Sequence, residues 1–185
     1  MDDIETRLDR VKNLLKDEDF LKGRGLSNEV NIRIFCYQPE EEMAVRYFVN
    51  RILKDTTLPC HVVEKNLYQI FLDVCEEKRI LNRMEDMEKK KGKDVLLQQI
   101  QRAVPVQSYV KKICAEGLEV GDVLLLTGVG DVYPFMRIHT LLEALQPAIG
   151  NIPLLVMYPG SFDGRHVSLF DRLPPNSYYR AFSVI

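Results

Sequence analysis

The sequence predicts an α/β domain, a three-layer sandwich in which four or five mostly parallel strands lie between helices. Three observations predict it. Short apolar runs of strand length occur at 31–37, 59–64, 123–126 and 152–157, with an aromatic and β-branched run at 178–185. Segments with helical apolar spacing separate them. Residues 122–164 read as strand, crossover helix, strand, a unit whose two strands are parallel. Alternation of this kind gives a Rossmann-like architecture with helices on both faces of the sheet. Strand order is not readable from the pattern.

The 185 residues suit one domain, 1–185, burying roughly 70% of its unfolded surface. Hydrophobic residues at 46% and charged residues at 28% are ordinary for a globular chain. A net charge of −2 gives no basic footprint for nucleic acid, so no sequence-specific DNA binding is expected. No window approaches the ~20 apolar residues of a membrane span. The opening MDDIETRLDR is acidic and lacks the apolar core of a signal peptide. Cys36, Cys60, Cys75 and Cys114 are scattered without a C-x-x-C pair, as expected of reduced thiols in a cytoplasmic protein.

In chain order, residues 1–21 form an amphipathic N-terminal helix with Ile4, Leu8, Val11 and Leu15 on one face. That face either packs on the domain or docks a partner. A loop at 22–25 leads into the sheet-containing core, 31–185. After the first strand, Pro39 opens a helix with Glu40, Glu41 and Glu42 in its first turn, where carboxylates favour the helix dipole. Ala44, Tyr47, Phe48 and Ile52 are its expected buried face. A helix at 67–80 turns Ile70, Phe71, Val74 and Cys75 inward. The charge run 85–93 reads as a solvated connection, because its acidic residues cancel Lys89, Lys90 and Lys91. A helix at 94–116 is interrupted at Pro105.

The unit at 122–164 is where function is expected. The strand at 123–126 turns through Thr127, Gly128, Val129, Gly130 and Asp131. Pro134 suits the first turn of a helix. Phe135, Ile138, Leu141, Leu142 and Leu145 continue it, and Pro147 with Gly150-Asn151 ends it. The next strand stops at Tyr158-Pro159-Gly160, and the chain after Gly164 reads as irregular up to Pro174-Pro175-Asn176. Parallel strands place both turns on one sheet edge, the edge where open α/β sheets bind ligands.

Catalytic patterns fail there. Gly128-Val129-Gly130 lacks the third glycine of a dinucleotide fingerprint, since Tyr133 occupies that place, and no lysine follows to make a phosphate loop. Ser161 stands one position too early for a nucleophile elbow. His139 suits a packing role, and His61, His139 and His166 lack metal-ligand spacing. The expectation is a chain without catalytic residues, metal or cofactor. The glycines still expose backbone N–H groups, so Gly128, Gly130 and Asp131 outline an alternative phosphate-binding turn, but Asp131 would repel an anion and a purely structural turn is the favoured reading. Tyr133, Arg137, Tyr158 and Arg180, with Tyr178 and Tyr179, are residue types that anchor interfaces, and Asp163 on the same edge joins them as a candidate partner-binding residue. The competing reading pairs Arg137 or Arg180 with Asp131 or Asp163 as internal braces.

Four motifs in order, LLTGVGDVYPFMRIHTLLEALQ, LLVMYPGSFDG, LFDRL and YYRAF, resemble the BrxB family, a component of bacteriophage exclusion (BREX) defence systems. They cover 122–185, and a looser match from the Tyr37-Gln38-Pro39-Glu40-Glu41 stretch extends over nearly the whole chain. Ile138 departs from the smaller residue expected between Arg137 and His139. The resemblance implies a role in a BREX system, and with no catalytic pattern in the sequence the leading expectation is a non-catalytic adaptor in a BREX assembly. Its implied partners are PglZ of the alkaline-phosphatase superfamily, an ATPase and a site-specific adenine methyltransferase, with direct contact expected to PglZ. A small nucleotide- or phosphate-binding domain is the alternative.

Overall fold

Residues alternate along the central strands between two apolar faces, and helices cover both. The computed structural model describes residues 2–24, 31–115, 117–163, 165–173, 176–177 and 182–183. In chain order the elements are α1 (Ile4–Leu14), α2 (Glu18–Lys22), β1 (Ile32–Tyr37), α3 (Glu42–Ile52), β2 (His61–Asn66), α4 (Leu67–Glu77), α5 (Met84–Lys91), α6 (Lys93–Ala103) and α7 (Val106–Cys114). There follow β3 (Asp122–Thr127), α8 (Val129–Val132), α9 (Ile138–Ile149), β4 (Leu154–Phe162), β5 (His166–Leu169), β6 (Asn176–Ser177) and β7 (Phe182–Ser183).

The strand order is β2-β3-β4-β1-β7, and every pairing along it is parallel. This is the α/β sandwich of mostly parallel strands that the alternation predicts. Register places Val156 of β4 between Ile34 of β1 and Leu126 of β3. Phe35, Leu125, Leu155 and Met157 face a layer built from α1, α2 and α3. Their neighbours Ile34, Leu124, Leu126, Leu154 and Val156 face the layer of α4, α6, α7 and α9. Both sheet faces are thus buried, which is why these strands read as unbroken apolar runs.

Several boundaries differ from the sequence expectation. The N-terminal helix is two helices, because Asp17 caps a second start by accepting from the Phe20 amide at 2.7 Å. Leu8, Val11, Leu15 and Phe20 lie in the core. On α3 the buried stripe is Val45, Phe48, Val49 and Ile52, while Tyr47 is 67% exposed; the stripe is turned by one residue. The charge run is helical, as α5, and carries no buried residue. Pro134 does not begin a helix. Tyr133, before the proline, is extended, the conformation a following proline imposes, so α8 ends at Val132 and α9 starts only at Ile138. Pro147 lies inside α9, which continues to the buried Ile149. The stretch after Gly164 forms β5, paired antiparallel to the end of β4. The expected strand at 178–185 is described only at β7. No helix of the described residues is long and apolar enough to cross a membrane.

Candidate functional site at the C-terminal edge of the sheet

The carboxyl ends of β1, β2 and β3 open on one edge, between α3 on one layer and α8 on the other. Gly128 follows β3 with φ +68°, the left-handed region that favours glycine. A side chain there would also meet Asn66 Oδ1 at 2.6 Å. That oxygen is occupied, since it accepts from the amides of Tyr68 and Gln69 and caps α4. Gly130 is small for a different reason: a Cβ would lie 2.9 Å from the Phe170 ring and 3.0 Å from Pro159. The two glycines let α8 settle between α4 and the β4–β5 hairpin. Packing accounts for them without any phosphate.

A polar network crosses this edge. The Tyr37 hydroxyl donates to Glu42 at 2.6 Å. Arg46 Nε donates to Glu42 at 2.6 Å, and its Nη2 donates to Asp131 at 2.7 Å. Burial pushes the Tyr37 phenol far above its usual range, and the hydrogen bond to Glu42 adds to the shift. Nearby, the Thr127 hydroxyl donates to Glu64 at 2.6 Å. These groups line a cleft of about 170 Å³ with Asn66 and Gly128. Three carboxylates face one guanidinium, so the cleft favours a cation over a phosphate. Asp131 is held on this edge by the Arg46 guanidinium.

The expected partner-binding residues fall in different surroundings. Tyr133 and Arg137 border a second, apolar pocket between the α8–α9 connection and the β4–β5 hairpin. Arg137 is exposed and makes no ion pair among the described residues, so it does not brace Asp131 or Asp163. Tyr158 is 2% exposed and lies in the core beneath that pocket; burial raises its phenol strongly. A ring so placed supports the edge by packing and is not a surface anchor. Asp163 stays within its own turn, accepting from the amides of Arg165 at 2.8 Å and His166 at 2.7 Å. These bonds, with His166 beside it, hold its carboxyl down at about 2. Arg180, Tyr178, Tyr179 and Gly164 lie outside the described residues.

His139 is half-buried on α9, and burial lowers its pKa, in keeping with a packing role. His166 meets Asp163 at 3.2 Å on an exposed turn. Among the described residues no hydrogen bond joins Ser161 to that pair. No group of three His, Cys, Asp or Glu side chains among them is arranged to hold a metal ion. Sequence reasoning missed Arg46, Glu64 and Thr127. A faint signal existed: Glu42 and Arg46 are four apart on a helix, and Glu64 sits near a strand end.

Comparison with known proteins gives a consistent result. The family model described as BREX protein BrxB matches residues 63–184. A BREX protein BrxB of Bacillus cereus (strain H3081.97) is 38% identical over 189 aligned residues, covering 98% of this chain and 97% of the relative. One of Escherichia coli O9:H4 (strain HS) is 32% identical over 189, covering 98% and 92%. No solved structure matches the chain.

Proposed function

The chain belongs to the BrxB family of BREX proteins, and from that membership we propose that it is a non-catalytic adaptor of a cytoplasmic anti-phage assembly. Its partners are other BREX components, with PglZ the direct contact. The observation that carries the adaptor reading is the state of the sheet edge where a ligand site would lie. Tyr37, Glu42, Arg46 and Asp131 are bound to one another, and the glycines are filled against by Asn66, Phe170 and Pro159. Beside that network a mostly apolar pocket opens next to Arg137, a residue type that anchors interfaces. The phosphate-binding alternative would put an anion against the Glu42, Glu64 and Asp131 carboxylates, which oppose it.

The experiment is co-expression of the chain with the remaining BREX components, followed by pairwise capture of each. Co-elution with PglZ at a fixed ratio is expected, with no ATP or GTP turnover by the isolated chain. Turnover that disappears in a folded Asp131→Asn variant overturns the non-catalytic reading. A chain that elutes free of every component overturns the adaptor reading.

A further inference from the structure

Resting on the adaptor reading, we infer that the pocket beside Arg137 seats one apolar side chain of a partner segment while Arg137 pairs with a carboxylate next to it in that segment. Size, lining and charge each narrow the occupant. The pocket holds about 70 Å³. A dry apolar cavity of about 150 Å³ accepts benzene, so this one has room for a single aliphatic group and not for a nucleotide. Its walls include Met136, Ile138, Val167 and Leu169, and no acidic residue lines it. Met136, Ile138, Val167, Leu169 and Leu173 make most of the wall apolar, and an apolar side chain buries no polar group by entering.

Arg137 supplies the polar half. It is exposed, borders the pocket, and has no ion pair among the described residues. A guanidinium presents a fixed fork that matches a carboxylate, which makes it selective for that group. The neighbouring cleft has the opposite character, with Glu42, Glu64 and Asp131 against Arg46 alone. Both lie around α8, with Val129 in one lining and Asp131 in the other. An acidic segment is drawn to the Arg137 pocket and repelled from the cleft, so the charge pattern fixes its direction across the edge.

The test uses the full chain, with Ile, Leu, Val and Met methyl groups labelled for NMR, and the capped peptide acetyl-Gly-Leu-Glu-Gly-amide as probe. Affinity on the order of 1 mM is expected, because so few atoms are buried. Methyl signals of Met136, Ile138 and Val167 should move on titration. Replacing the probe glutamate by glutamine, its leucine by serine, or Arg137 by glutamine should each weaken the effect about tenfold, as loss of a hydrogen bond to a charged group or of a buried side chain does. No shift at these methyls, or equal shifts with the glutamine probe, overturns the inference. Capture of BREX components by Arg137→Glu separates it from the adaptor reading. Unchanged capture retains the adaptor and removes this pocket from its interface. Reduced capture with a responding probe supports both. Capture of no component even by the unaltered chain overturns the adaptor reading, and the partner occupant falls with it.

Discussion

Arg46 on α3 reaches Asp131 on α8, Nη2 to Oδ2 2.7 Å, and so joins the two helical layers across the carboxyl edge of the sheet. Both side chains are about half exposed, at 52% and 44%. An ion pair so placed contributes at most about 1 kcal/mol and weakens with salt. Asp131→Asn is therefore expected to shift the urea midpoint only slightly, with the slope unchanged. Repeating the measurement at high salt should abolish the difference. A loss several times larger would mean that the pair sets the layer spacing.

Arg7 presents the contrary case. Its guanidinium is 8% exposed, donates to both Glu41 oxygens at 3.1 Å, and also donates to the Cys36 carbonyl at the end of β1. It further lies over the Phe35 ring, 5.4 Å from the centroid. Arg7→Ala leaves the half-buried Glu41 carboxylate without its charged partner, with only the Gln38 amide still donating to it at 2.7 Å, and takes a donor from the Cys36 carbonyl. The expected cost is about 3 kcal/mol, the lower end for breaking a buried pair. Urea unfolding checks it. Deleting residues 1–22 also removes Leu8, Val11, Leu15 and Phe20 from the core, so the truncated chain should fail to unfold cooperatively. A cooperative transition in the truncated chain would restore the N-terminal helix as a detachable docking element.

The layer architecture was legible because β1, β3 and β4 are buried on both faces, and unbroken apolar runs such as Val123–Leu126 report that directly. The strand order was not, since β2 and β1 are separated by two other strands and nothing local encodes that distance. The hairpin β4–β5 was missed because Tyr158-Pro159-Gly160 looks like a turn. Gly160 instead continues the strand with φ +150°, pressed against the Ser168 carbonyl. The edge glycines were seen, but their reason was not: Phe170, which excludes a side chain at Gly130, lies 40 residues downstream. Likewise Asp131 was recognised while its partner Arg46, 85 residues earlier, was not.

Gly160→Ala should be severely destabilising. Its Cβ would lie 2.1 Å from the Ser168 carbonyl oxygen, at a φ that L residues rarely adopt. Gly128→Ala combines φ +68° with a 2.6 Å approach to the oxygen that caps α4. Backbone strain of about 1 kcal/mol is expected for it, plus some loss of the cap. Gly23→Ala is the control, because it shares the left-handed region, at φ 60° and ψ 32°, and its Cβ would meet only Asn31 Nδ2 at an ordinary 3.8 Å. Thermal unfolding should rank the three as Gly160, then Gly128, then Gly23.

Asp163 gives a pH signature. Its carboxyl is depressed from 3.8 to about 2 by the His166 and Arg165 amides. A lowered folded pKa stabilises above the unfolded value and is lost as pH falls through the folded one. The β4–β5 turn should therefore loosen between about pH 4 and pH 2. Amide exchange at Arg165 and His166 should accelerate over that window, and Asp163→Asn should flatten the dependence. Equal acceleration in the variant would assign the effect to global acid unfolding.

The last expectation separates support from contact. Tyr158 and Arg137 border the same pocket, but one is buried and the other exposed. Truncating a buried aromatic ring removes its transfer energy and leaves a cavity, so Tyr158→Ala should cost about 3–5 kcal/mol. Weaker partner binding by that variant would then follow from unfolding alone and say nothing about contact. Arg137→Ala removes a side chain with no ion pair among the described residues, so its urea midpoint should stay within about 0.5 kcal/mol of the parent. Any change in its affinity for PglZ therefore reports contact. A loss of at least ~2 kcal/mol would make Arg137 an anchor of the interface. The paired measurement is urea unfolding of both variants beside their affinity for purified PglZ. An Arg137→Ala chain that melts with the parent and binds PglZ with full affinity would move the interface away from this edge.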